Sequence, residues 1–208
     1  SEELGYAITH ASMGTPLEKT LPGHHHISSL EILIDAESAE PVAVIDALWV
    51  ATMIPAAVTA LVARHMARAD SRVAGFIAAG AQARGNLSTL RAVLPLTTVL
   101  AYDERREAAE AFVRHAQSMG LQAQAAMSAR EVIAESDVVV TSVPSMPGMI
   151  PALDPGWLKP GTYVSMVDLA RSWKPGLESL DRLVTDDKEQ AAAQAKDGRL
   201  KFGGPYDT

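Results

Sequence analysis

Cysteine is absent from all 208 residues, which excludes disulfides, zinc–thiolate centres and cysteine nucleophiles. No basic run occurs, and 25 acidic against 18 basic residues leave a net charge of −7, which argues against a nucleic-acid surface. No signal peptide and no apolar run long enough to cross a bilayer stand out, so a soluble, cytoplasmic protein without a membrane partner is expected. The chain opens on SEELGY without a methionine and stops at KFGGPYDT without a closing element, so a fragment is expected. What is present is a 48% hydrophobic composition, enough for one good-sized core or one domain with an appendage.

The informative stretch is RVAGFIAAGAQARGN, residues 72–86. Val73 to Ala79 has the apolar and β-branched character of a short buried strand, and Gly80 breaks it. Ala83, Leu87, Leu90 and Leu94 then follow at helical spacing. A strand that turns through glycine into a helix aims backbone N–H groups and a positive dipole end at whatever lies above it, as a dinucleotide pyrophosphate requires. The motif is imperfect, with Ala78 in the place of its first glycine. An ordinary strand–turn–helix would carry the same text.

Around this stretch the chain divides into readable pieces. Residues 1–26 are expected to be irregular, and His24, His25 and His26 to be a solvated run, since neighbours on an extended segment alternate faces and cannot all grip one metal. Ile27 to Ile34 and Val42 to Ile45 suggest a hairpin in a layer of its own. Ile54, Val58, Leu61, Val62 and His65 share one helical face, with Pro55 tolerable only near the helix start. A second strand, Thr97 to Tyr102, ends at Asp103, which lies 23 residues after Gly80. An acidic residue at about that distance suits the ribose hydroxyls of NAD, although Asp103-Glu104 could equally open a helix. The helix Glu104 to Met119 ends at Gly120, and Gln122 to Ala126 is a weak third strand. Ser128 and Glu131 form a capping box with Met127 and Val132 as its staple. Asp137 to Val143 is a buried strand running into a proline-rich loop. Gly161 to Val167 and Arg182 to Thr185 are further strands, ending at Asp168 and at Asp186-Asp187, before a polar helix from Lys188 to Arg199. This alternation predicts an α/β, doubly wound sheet with Gly80, Asp103, Thr141, Ser142 and Asp168 at the carboxyl ends of its strands, where such sheets bind ligands.

The segments PVAVID, AAVTALVARHMA, FIAAGAQARGNL, SDVVVTSVPS and KPGTYVSMVDL stand in an order and spacing that resembles the ornithine cyclodeaminase/mu-crystallin family. The most specific piece is Gly80-Ala81-Gln82-Ala83. The resemblance covers roughly residues 20–200 and implies a Rossmann domain, 58–198, that binds NAD(P). It also implies a second, dimer-building substrate domain made from residues 1–57, to which residues 199–208 begin to return. The implied partners are a small amino or imino substrate and a second copy of the chain; the implied chemistry is that of an NAD(P)-dependent oxidoreductase or cyclodeaminase. The resemblance puts the pyrophosphate on Gly80, Ala81 and Gln82, and the adenosine ribose on Asp103 with Glu104 and Arg105 beside it. The nicotinamide falls along Thr141, Ser142, Val143, Ser165, Met166 and Val167. A carboxylate at position 103 repels a 2′-phosphate, so NAD is favoured over NADP. Asp168 is the candidate to orient an amine or relay its proton. Three departures stand against this: the arginine that clamps the substrate carboxylate is Ile54, the expected lysine falls at Ala7, and the usual catalytic aspartate falls at Ala170. Arg171 or Lys174 could replace the clamp. A nucleotide-binding protein without chemistry remains the alternative from a different class; a methyltransferase is disfavoured by the Gly80–Ala83 pattern.

Overall fold

The computed structural model describes residues 4–14, 19, 27–146, 148–200 and 206, so His24–His26 lie outside the described residues. Two compact units divide between Ile54 and Pro55. The first carries an antiparallel sheet in the order β1 (Tyr6–Gly14), β2 (Ile27–Asp35), β3 (Pro41–Asp46). The β2–β3 hairpin is as the alternation predicts. Its turn is tied by the Asp35 carboxylate, which accepts the N–H groups of Glu37 and Ser38 and so falls below the usual aspartate range. Strand β1 corrects the expectation of an irregular start. Tyr6–Gly14 shows little hydrophobic contrast, yet all nine residues pair with β2, and cross-strand pairing outweighs so weak a local preference.

Helix α1 (Leu48–Met66) begins where Asp46 accepts the Leu48 N–H, and Pro55 is therefore inside it rather than near its start. Its buried residues are Ala56, Thr59, Ala60 and Ala63, whereas Ile54 and Leu61 are each 57% exposed. The stripe of large residues does not mark the packed face; small side chains let the helix approach its neighbours closely. By length and composition alone α1 would suffice to cross a membrane, contrary to the expectation that no run is long enough. Its second half instead packs in the second unit, where Thr89 Oγ1 donates to the Ala56 carbonyl and Tyr163 Oη to the Thr59 carbonyl.

The second unit is a five-stranded parallel sheet, flanked by helices. In chain order come β4 (Val73–Ile77), α2 (Ala81–Leu90), β5 (Thr98–Tyr102), α3 (Arg106–Ser118), β6 (Gln122–Ala125), α4 (Ala129–Glu135), β7 (Val138–Thr141), β8 (Tyr163–Met166) and α5 (Lys188–Lys196). The strands lie in the order β6-β5-β4-β7-β8. The chain starts in the middle, winds outward to β6, then returns across β4 to β7, so the order reverses between β4 and β7. Alternation along each strand divides the core. Phe76, Val138 and Val140 face Leu87, Leu90 and Phe112, while Ile77 and Val139 face Val132, Ile133 and Trp173. Gly75 is required by contact: a Cβ there would sit 2.6 Å from Val132 Cγ1 and 2.3 Å from Ser136 Oγ.

Two further expectations fail. Arg182–Thr185 is not a strand: its two apolar residues, Leu183 and Val184, join neither sheet, and Asp187 caps α5 by accepting the Gln190 N–H at 2.8 Å. The capping box holds in part: Ser128 Oγ accepts the Glu131 N–H, but Glu131 reaches back to the Met127 N–H. Met127 is 81% exposed and so forms no staple with the buried Val132.

Candidate functional site

The site is built on the tip of β4. Its register aligns Ile77 with Tyr102 on one side and Thr141 on the other, and Thr141 in turn with Met166. Four strand ends therefore present their following residues along one edge. Just past β4, Ala78 sits at φ 68, in the left-handed region that favours glycine. Its N–H donates to the Tyr102 carbonyl at 2.9 Å, and the Ala79 N–H donates to Asp103 Oδ2 at 2.9 Å. Gly80 follows as the N-cap of α2 with no side-chain cap hydrogen bond. An added Cβ at Gly80 would meet nothing within 4 Å, so the space over the turn is open. Gly80 and Ala81 are exposed, Gln82 is half-buried, and Ala83 is fully buried where the helix meets the sheet.

Asp103 lies at the tip of β5 beside this opening. One carboxylate oxygen holds the Ala79 N–H, and the other accepts the Arg105 N–H at 2.9 Å, opening α3 as the alternative reading of Asp103-Glu104 anticipates. Glu104 is exposed, as is Arg105, whose guanidinium stands 3.9 Å from Asp103. At the tip of β7, the Ser142 N–H donates to the Ile77 carbonyl, and its hydroxyl to the Ala78 carbonyl at 3.3 Å.

Thr141 and Asp168 belong to a buried cluster behind this edge. The Thr141 hydroxyl donates to Asp168 Oδ1 at 2.9 Å and accepts the Trp173 indole N–H at 3.3 Å. The Ser172 hydroxyl and the Val143 N–H also donate to the Asp168 carboxylate. Burial pushes the Asp168 carboxyl above the usual aspartate range, against the pull of these donors and of nearby Arg171. Asp168 is only 2% exposed. The two residues after it, Leu169 and Ala170, both lie at positive φ, 57 and 58. Ser165 bonds to Thr59 of α1 at 2.7 Å, and Met166 and Val167 pack half-buried against the two halves of the core.

Gly80, Ala81, Gln82, Asp103, Ser142 and Val143 thus gather at the tips of the three central strands, while Ser165 and Asp168 are engaged elsewhere. Lys174 is also engaged, 3.7 Å from Asp154 and 5.8 Å over the Trp157 ring. Ser172 and Trp173 had no periodic or motif signal to announce them; a hydroxyl four residues after a strand-end aspartate is a common pattern.

A parallel sheet in this order, with a glycine-capped helix springing from its first strand at the point of reversal, defines a Rossmann-type α/β protein. The chain belongs to the ornithine cyclodeaminase/mu-crystallin family, whose model matches residues 11–198. It is 33% identical over 198 residues to alanine dehydrogenase of Archaeoglobus fulgidus, covering 90% of this chain and 58% of that enzyme. Among solved structures it is similar to an archaeal alanine dehydrogenase dimer with bound NAD, at 30% identity and TM-score 0.79, over 95% of this chain and 64% of that one. It is likewise similar to the Thermococcus litoralis Δ1-pyrroline-2-carboxylate reductase in complex with NADH and L-proline, at 25% identity and TM-score 0.80, over 93% and 62%. The chain therefore spans about three fifths of the length of these relatives.

Proposed function

We propose that this chain forms the dinucleotide-binding part of an NAD-dependent oxidoreductase or cyclodeaminase that acts on an amino or imino compound as a homodimer, with residues 1–57 belonging to its substrate and dimerisation domain. The carrying observation is the uncovered turn at Gly80, a cradle that any Cβ would begin to fill. Gly80, Ala81 and Gln82 take the pyrophosphate over the positive end of α2. Asp103, flanked by Glu104 and Arg105, faces the adenosine ribose and disfavours a 2′-phosphate. Thr141, Ser142 and Val143, with the end of β8 at Met166 and Val167, back the nicotinamide. That ring, when bound, accepts or donates the hydride. A carboxylate as enclosed as Asp168 has no open path to a substrate amine; its part is to brace the edge from behind rather than to relay a proton. The relatives bearing on substrate class are an alanine dehydrogenase and a reductase solved with L-proline.

A second reading, a nucleotide-binding protein without chemistry, is favoured by one observation: Ile54, Ala7 and Ala170 are apolar where the family resemblance leads one to expect arginine, lysine and aspartate. Titration of the protein with NADH, followed by fluorescence, tests the shared part of both readings. Binding should be lost in Gly80→Val, which adds bulk only where the turn is open, and an unchanged affinity would overturn the site. Oxidation of NADH with any member of a panel of 2-oxo acids plus amines then selects the enzyme; binding without turnover across the panel selects the other.

A further inference from the structure

Alanine is a poor residue for the left-handed conformation that Ala78 holds, because its Cβ crowds the backbone there. Every backbone polar group around its Cα is nevertheless fastened. The Ala78 N–H goes to the Tyr102 carbonyl, its carbonyl accepts from Ser142 Oγ, and the next N–H, of Ala79, goes to Asp103 Oδ2. Both residues are themselves held, Ser142 by its backbone N–H to the Ile77 carbonyl and Asp103 by its carboxylate accepting the Arg105 N–H. They come from the two strands that flank β4, so the turn is gripped from either side.

We infer that Ser142 and Asp103 are positioning residues that clasp Ala78 in its left-handed conformation, setting the turn for the cofactor where a glycine would need no help. This rests on the reading of the turn as a dinucleotide site. It gives Asp103 a second duty besides the ribose, and gives Ser142 one in place of direct contact with the nicotinamide.

A cycle between the clasp and residue 78 tests it. Ser142→Ala should weaken NADH binding about threefold to tenfold, the loss expected of one modest hydrogen bond. In the Ala78→Gly background the same change should cost less than about twofold, because glycine takes this φ unaided. Asp103→Ala should likewise lose less in that background, and Ser142→Thr should restore the hydroxyl and the affinity. Equal losses in both backgrounds would overturn the inference. A residue that only stabilised the fold would lower the urea midpoint and leave affinity unchanged. If the protein fails to bind NADH, the proposed site falls, but the clasp is still tested by the urea midpoints. Ala78→Gly should then raise the midpoint more in Ser142→Ala than in the parent chain, and strict additivity would refute it.

Discussion

The two edges of the parallel sheet solve the same problem, how to end buried strands, with opposite means. At the amino edge Asp137 takes the N–H groups of Arg72 and Val73 at 2.9 and 3.0 Å and pairs with Lys159 at 3.0 Å and Arg68 at 3.2 Å. Burial alone would raise this carboxyl, but those donors and the Lys159 charge outweigh it and hold it below the usual range. The positive φ values there fall on glycines, Gly120 and Gly161. At the carboxyl edge Asp168 is bonded to neutral hydroxyls and an amide and is raised, and positive φ falls on Ala78, Leu169 and Ala170. Three of the four described non-glycine residues at positive φ are on this edge. Strain and incompletely balanced charge are concentrated where a ligand would bind, and the far edge is relaxed.

The largest effect should come from breaking the relaxed edge. Asp137→Ala leaves the Arg72 and Val73 N–H groups without their acceptor and removes the partner of two solvent-exposed cations, and should cost about 2–3 kcal/mol in urea denaturation, mostly from the N–H groups. A cost below about 1 kcal/mol would mean that the amino edge is not held by this carboxylate. Acidity separates the two edges by sign. The lowered Asp137 contributes stability above the ordinary aspartate value of 3.8, and that contribution is lost as pH falls through its folded value. The raised Asp168 does the reverse: its folded form keeps its proton longer than the unfolded chain, so stability is lost as pH rises from 3.8 through the folded value. Urea midpoints measured from acid to neutral pH should show a shallower acid limb in Asp137→Asn. Asp168→Asn should remove a decline of the opposite slope. Changes of the same sign in both variants would contradict the contrast.

Most of the parallel unit was legible because its signals are periodic. Val138–Val140 is apolar without interruption, Phe112 and Ala116 recur at helical spacing, and Gly80 and Asp103 sit at the ends of such runs. The losses share one cause, dependence on a partner that local sequence does not display. Strand β1 exists through its pairing with β2, and the packed face of α1 is set by what small residues can approach. The burial of Asp168 depends on Ser172 and Trp173 folding back over it. At the site the residue types could be read, but not their direction: nothing in the text of Asp103 or Ser142 announces that both turn toward the peptide joining Ala78 to Ala79.

The smallest predicted effects are the sharpest test of where strain is stored. Gly161 is at φ 81, and an added Cβ would lie 3.2 Å from the Arg68 side chain, whose end can move aside. Gly161→Ala should therefore be destabilising by about 1 kcal/mol, mostly from the left-handed backbone. Ala170 presents the mirror image. At φ 58 its replacement by glycine relieves a cost of about 1–2 kcal/mol, but it also strips a methyl group that is 97% buried, worth about 0.8 kcal/mol. Glycine also gives the unfolded chain more freedom to lose, a further penalty of several tenths of a kcal/mol. The balance for Ala170→Gly should fall within about 0.5 kcal/mol of zero, where the same change at an ordinary buried alanine would cost about 1 kcal/mol or more. Matched loss at Ala170 and at Ala74, a fully buried alanine inside β4, would show that the carboxyl edge holds no strain that glycine can release.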